Sequence, residues 1–346
     1  MSELKLMRNR KRTRAAVLLI LLLGGLAFAG YHILLAQLNP IAPGDSSSID
    51  IRIAESSTAS QVAELLYSNH LIRNEALFLA YCRHNDLDSS LKAGHYQFSR
   101  SQSLPEIAAA ISKGKVVTIS FTVPEGYSVD KVGKLLVEKG ICTVEEWQEA
   151  INQDYNYEFL HLAEPGPGKS YLEGFLFPDT YVIAEDTTVV EIVYAMLDNF
   201  EKLWKGEFEQ QALDQGMNVY DAIIIASMIE KEAMVDNERK TISGVIKNRL
   251  EKDMLLQIDA SVLYILNNDE KDIIYYEDLE IDSPYNTYKY VGLPQAPIAC
   301  PGKAAIDAAI NPEQHEYLYY VSRGDGSHQF SKTYSEHLQA KARYID

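Results

Sequence analysis

The stretch Ile53–Ile72, IAESSTASQVAELLYSNHLI, aligns without gaps on Val123–Cys142, VPEGYSVDKVGKLLVEKGIC, at an offset of 70 residues. Glu55 pairs with Glu125, Thr58 with Ser128, Val62 with Val132, Leu65-Leu66 with Leu135-Leu136, and Leu71 with Ile141. Each copy reads as an extended segment, a Ser/Thr helix start, an amphipathic helix, then a turn and an apolar exit. Val62, Leu65 and Leu66 fall on one stripe of a helix, and Thr58 or Ser128 offers a side-chain oxygen to the unpaired amides of the first turn. Val116–Val123, leading into the second copy, is rich in β-branched and aromatic residues and predicts a strand. Downstream, 187–215 and 219–252 read as helices, and 255–346 mixes short helices with strands such as Tyr317–Ser322. No sustained βαβ alternation is present, so the fold class predicted is α+β rather than a doubly wound sheet.

Upstream of the repeat the chain changes character. Lys5, Arg8, Arg10, Lys11, Arg12 and Arg14 stand against the single acid Glu3, while the whole chain of 346 residues carries a formal charge of -17. Ala15–Pro43 holds no Asp, Glu, Lys or Arg. Ala15–Leu38 is long enough to cross a bilayer core of about 30 Å, and its apolar run continues past the small-residue sequence AFAG at 27–30, which favours a retained anchor over a cleaved signal. The expected layout is a cytoplasmic basic tail over 1–14, one transmembrane helix over 15–38, a polar tether over 39–50, and everything beyond outside the cell membrane. The acidic remainder makes a poor nucleic-acid ligand, because neutralising phosphate needs clustered Lys and Arg. Cys82, Cys142 and Cys300 are widely spaced and odd in number, so they predict neither a disulfide framework nor a metal site.

The segment with the strongest chemical signal is Asp221–Ala233, DAIIIASMIEKEA. It is apolar up to Glu230. At about 100° per residue, Glu230 shares a face with Ile223, Ala226, Ser227 and Met234, while Glu232 points about 200° away. A carboxylate on an apolar face is costly to desolvate, which suits a proton donor. The competing reading is a helix that simply emerges into solvent at Glu230. GPGKS at 166–170 lacks the earlier glycine of a phosphate-binding loop, with Ala163 in its place, and His328 and His337 lack the spacing of a helical zinc site.

Several strings, in order, carry a resemblance: EGFLFPDTY, ASMIEKE, NRL, LLQIDASVLY, YNTY, GLPQAPI, CPG and YLYYVSRGDGSHQF. They resemble the YceG-like (MltG-type) family of endolytic murein transglycosylases. The repeat unit also looks like the LysM-like module of wall-associated proteins, which binds N-acetylated glycans. The resemblance implies a LysM-like α/β module over 51–118 and a mixed α+β catalytic domain over 119–346, containing a second LysM-like unit near 120–145. It implies cleavage between N-acetylmuramic acid and N-acetylglucosamine within peptidoglycan strands, with Glu230 as the one acid and base and a 1,6-anhydro end as product. Glu173, Gln257, Asp259, Asn286 and Tyr288 become candidates for sugar contacts or for orienting Glu230. Cys300 within ACPG, and Ile258 in QID, depart from the family pattern. No cofactor or metal is implied. Implied partners are glycan strands, the membrane, and penicillin-binding proteins with the division or elongation machinery. The alternatives are a non-catalytic wall-binding scaffold and a water-using muramidase.

Overall fold

The structure, a computed structural model, describes residues 2–268, 271 and 274–345, with side chains from residue 18 onward. Helix α1 spans Ser2–Ala36. Within it Leu18–Ala36 is, among the described residues, the one helical stretch long and apolar enough to cross a membrane, and none of it is buried against protein. The chain forms two compact units, the first of which includes α1: Met1–Ile119 with Ile183–Asp186, and Ser120–Val182 with Thr187–Asp346.

In the first unit, β1 (Ile49–Ile53) runs antiparallel to β2 (Gly94–Phe98), with Ile49 opposite Phe98 and Ile53 opposite Gly94. Helices α2 (Ala59–Ser68) and α3 (Glu75–His84) lie between these strands in sequence, and α4 (Leu104–Lys113) follows them. Thr58 with Gln61, and Ser103 with Glu106, close reciprocal capping boxes that set the starts of α2 and α4. Ile51, Val62, Leu66, Phe78, Tyr96, Ile107 and Ile111 form the core. The segment 183–186 joins this unit through Glu185. Its amide donates to the Val117 carbonyl at 3.0 Å, and its carboxylate meets His95 Nδ1, whose Nε2 lies 3.1 Å from Asp50. Residues 39–50, expected as a tether, are not slack. Arg73 donates to the Asn39 and Pro40 carbonyls at 2.6 and 2.8 Å, the Leu104 amide donates to the Leu38 carbonyl at 3.0 Å, and Leu38 packs on the core.

The repeat persists in the backbone. Helix α5 (Val129–Glu138) stands 70 residues after α2. The turns ahead of them pass through left-handed Ser56 (φ 61°) and Gly126 (φ 75°), and the exits through His70 (φ 54°) and Gly140 (φ 69°). In both exits the next amide bonds back into the helix at 2.9 Å, Leu71 to Leu66 and Ile141 to Leu136. Helix α6 (Val144–Ile151) then starts on Thr143 as α3 starts on Asn74. Ahead of α5, β3 (Thr118–Thr122) pairs with β4 (Thr180–Ala184).

The second unit continues with α7 (Val189–Leu203), a π-helical turn over Trp204–Phe208 and α8 (Glu209–Asp214). The extra residue of a π turn shifts the helix phase, and here both Trp204 and Phe208 are buried. Helix α9 (Val219–Glu232) is buried at every residue from Ala222 to Ile229, and α8, α10 (Arg239–Leu250), α11 (Asp259–Leu266) and α13 (Lys303–Ile310) surround it; the short α12 (Tyr276–Leu279) precedes α13. Strands β5 (Tyr319–Ser322) and β6 (His328–Ser331) pair antiparallel, and α14 (Tyr334–Tyr344) follows.

The sequence expectation of one helix over 219–252 is corrected. The helix stops at Glu232, Ala233 turns extended at ψ 108°, and a 3-10 turn over Asp236–Glu238 leads into α10. Asp and Asn compete locally for backbone hydrogen bonds, and Asp236 pairs with Arg239 three residues on, so the polar VDNER segment starts a new helix instead of prolonging the old one.

The NRL string acts as a clamp. Asn248 Nδ2 donates to the His315 and Tyr317 carbonyls at 2.8 and 2.9 Å. Buried Arg249 donates to the Leu318, Leu255 and Leu256 carbonyls at 2.6, 3.1 and 2.7 Å, tying α10 to the lead-in of β5 and of α11. Arg249→Met should therefore cost about 2–4 kcal/mol, since charge-assisted bonds to buried carbonyls are lost together. Urea titration of the two proteins reads this directly as a lower midpoint.

Candidate active site

One stripe of α9 decides the site. Ile223, Ser227 and Glu230 follow at helical spacing and meet the chain 297–302 along its length. A methyl group on Gly174 (φ +90°) would lie 2.7 Å from both Ile223 and Pro297, so the backbone there passes closer than any side chain permits. Ser227 Oγ accepts from the Ile298 amide at 3.1 Å. Glu230 Oε2 accepts from the Gly302 amide at 2.9 Å. The helix does not emerge into solvent at Glu230, whose side chain is 7% exposed.

Glu230 has further neighbours. Arg239 Nη2 approaches Glu230 Oε1 at 3.6 Å, while its Nη1 binds Asp236. Gly126 lies behind the Glu230 side chain, where an added methyl would sit 3.5 Å from Cγ. That turn is fixed by a small bridge: the Gly126 amide donates to the Cys300 carbonyl at 2.9 Å, and the Cys300 amide to the Tyr127 carbonyl at 2.8 Å. The bridge carries Glu125 onto Gly302, where a methyl group would fall 1.8 Å from Glu125 Oε1. Burial raises the Glu125 carboxyl above its ordinary range, repulsion from Glu230 adds to this, and Arg239 opposes it. Two backbone dipoles compete at Glu230. The carboxyl end of α9 disfavours negative charge there, while the Gly302 amide at the start of α13 favours it.

Glu232 belongs to a different group. It accepts from Tyr320 Oη at 3.0 Å, and burial first, then nearby Asp259, raises its carboxyl. Asp259 accepts from Tyr288 Oη. Gln257 is exposed and left-handed (φ 49°), and its amide donates to the Thr287 carbonyl at 3.0 Å. Asn286 is buried, with its amide group donating to the Leu279 and Ile281 carbonyls and its oxygen accepting from the Tyr288 amide, so its polar atoms hold the loop 279–288. Glu173, 4% exposed, accepts from the Val129 amide at 3.2 Å and Tyr264 Oη at 3.0 Å, with Cys300 Sγ 4.0 Å away. Of the sequence candidates, Asp259 and Tyr288 thus meet each other near Glu232. Glu173 braces the start of α5 from inside and touches Cys300, next to the bridge that sets Glu125.

Sequence reading missed Glu125, Arg239 and Gly302. Glu125 was visible only as a repeat position opposite Glu55, which is exposed. Arg239 becomes a neighbour through the unforeseen break after α9. Cys82, Cys142 and Cys300 are buried and free. GPGKS is a loop whose Lys169 binds the Tyr264 carbonyl and Asn267 and whose Gly166 amide donates to Tyr285 Oη. A cleft of about 440 Å³ between α5, α6 and α11, lined by Lys134, Trp147 and Tyr264 among others, does not include Glu230.

Known proteins resemble the chain over most of its length. The YceG-like family model matches residues 51–343. An endolytic murein transglycosylase of Bacillus subtilis (strain 168) is 31% identical over 339 residues, covering 94% of this chain and 91% of the relative. One from Streptococcus pneumoniae serotype 2 (strain D39) is 30% identical and covers 95% of this chain, which spans 64% of that longer protein. A crystal structure of a YceG-like protein from Listeria monocytogenes superposes with a TM-score of 0.57 at 31% identity, over 85% of this chain and 99% of the other.

Glu173 makes stability depend on pH. Burial raises its carboxyl to about 8, against the opposing bonds from Tyr264 and Val129. Between its ordinary value of 4.5 and about 8 the folded chain holds a proton that the unfolded chain has lost, so this contribution is full below the lower value and disappears as pH rises through the upper one. Glu173→Gln should flatten that fall, which reaches about 1.4 kcal/mol per pH unit in the parent. Denaturation midpoints across pH 5 to 8 (an interval of roughly three units) give the comparison, and parallel curves would show that Glu173 holds no such proton.

Proposed function

Because the chain belongs to the YceG-like family, we propose that it is a membrane-anchored endolytic murein transglycosylase that cuts peptidoglycan strands with Glu230 as acid and base. The observation that carries the site is the sequestered carboxylate at the end of an apolar helix, gripped by the Gly302 amide and faced by Arg239. In the proposed reaction Glu230 protonates the oxygen bridging N-acetylmuramic acid to N-acetylglucosamine as C1 takes on oxocarbenium character. The carboxylate so formed takes the proton of the C6 hydroxyl, whose oxygen closes on C1. The product carries a 1,6-anhydro end and no water is consumed.

Glu232 is a poor substitute, since it faces Tyr320 from another side of the helix. A hydrolytic pair must stand about 5 to 9.5 Å apart across the sugar. Glu125, the other carboxyl group at the site, lies with Glu230 against one glycine, Gly302. Asp259, Tyr288 and exposed Gln257 are the candidates for glycan contact, while Glu173 and Asn286 support from within.

The rest of the proposal follows the layout of the chain. Residues 1–14 face the cytoplasm, α1 spans the membrane once, and the remainder works outside on nascent strands. The LysM-like module over 51–118 and the catalytic domain over 119–346 divide that part. The enzyme then sets strand length beside penicillin-binding proteins and the division or elongation machinery.

The full-length protein in detergent, incubated with purified peptidoglycan, should release internal fragments ending in 1,6-anhydro-N-acetylmuramic acid, identified by mass spectrometry. Reducing ends would make it a muramidase, and no fragments a scaffold. Glu230→Gln should lower turnover by about 10²- to 10⁴-fold. Normal cleavage by this variant would remove Glu230 from the mechanism.

A further inference from the structure

The mechanism needs a proton on Glu230, yet Glu230 is surrounded by groups that favour its anion: the Gly302 amide at 2.9 Å and the Arg239 guanidinium at 3.6 Å. The neighbour that opposes them is Glu125. We propose that Glu125 is a positioning residue that shares a single proton with Glu230 across Gly302, so that the pair meets the glycan singly protonated. This rests on the reading of Glu230 as the acid and base.

The geometry is specific. Both carboxyl groups are placed on one residue, Glu230 on the amide of Gly302 and Glu125 against its α-carbon, where a methyl group would overlap Oε1 at 1.8 Å. The Gly126–Cys300–Tyr127 bridge leaves Glu125 little freedom to withdraw. The charged groups facing the pair are Arg239 from α10, Asp236 from the 3-10 turn before it, and Lys231 from α9, whose side chain passes beside Gly126. Two carboxylates set against one glycine repel when both are ionised, which favours a form with one proton between them. Burial and Glu230 both act on Glu125 in that sense.

Proton balance holds through the cycle. The shared proton rests on Glu230 as the strand binds and passes to the bridging oxygen as the C1–O bond breaks. The proton of the C6 hydroxyl then returns to Glu230 as C6–O bonds to C1. The pair ends with the one proton it began with, and Glu125 keeps Glu230 from remaining a carboxylate held by Arg239.

Turnover of glycan strands by the full-length protein in detergent is measured against pH for the parent, Glu125→Gln and Gly302→Ala. Removing the carboxylate leaves Arg239 unopposed, so the alkaline limb of kcat should move to lower pH by about one unit, with KM changed less than about threefold. Gly302 has an ordinary φ of -79°, so alanine is tolerated by the backbone and acts by displacing the Glu125 carboxyl; the same acid-ward shift is expected. It keeps the test decisive should Glu125→Gln not fold. An alkaline limb that superposes on the parent in a folded variant, whatever its kcat, overturns the pairing. Glu230→Gln in the same series separates the two claims: if it is inactive while Glu125→Gln keeps the parent profile, only the pairing falls, and if it is active, both fall.

Discussion

A helix that is apolar on every side must be enclosed, and the second unit is organised by that requirement. From Ala222 to Ile229 no face of α9 can meet water, so α8, α10, α11 and α13 close around it. Enclosure fixes the helix in rotation and along its axis. The stripe Ile223, Ser227, Glu230 then lies against the chain from Pro297 to Gly302 with no freedom to turn away. A charged side chain at the end of such a helix inherits the rigidity of the core behind it, which is how a single flexible Glu is held to one geometry.

The electrostatics at that end are a balance of opposites. The carboxyl terminus of α9 and Glu125 disfavour a second negative charge, and Arg239 and the amide that opens α13 favour it. In the proposed reaction, where Glu230 acts first as acid and then as base, both sets have a part. The break after Glu232 is what makes this possible, because a continuous helix would carry Arg239 away along the axis rather than back to Glu230.

The sequence was informative where the signal is local. The duplicated segment, with Thr58 and Ser128 as helix starts and paired leucines on the buried face, is written in residues a few positions apart, and it survives down to the left-handed turns at Ser56 and Gly126. The separation of Glu230 from Glu232 also follows from helix geometry alone. What the sequence hid are contacts between distant segments. Nothing local says that residues 125, 239 and 302 meet at residue 230. The extended reading of α9 through α10 failed for a related reason: beyond the local competition of Asp236 and Asn237 for backbone bonds, the break depends on Arg239, which pairs with Asp236 and reaches back to Glu230. Asn286, read as a sugar ligand or support, spends its polar atoms inside its own loop.

The chain after α1 bears on where such an enzyme can act. Residues 39–41 are strapped down by Arg73, and Leu38 is packed into the first unit, so almost no loose chain separates the membrane-length helix from folded protein. The stretch read from the sequence as a free spacer is thus part of the first unit, whose packed core begins where the membrane-length helix ends.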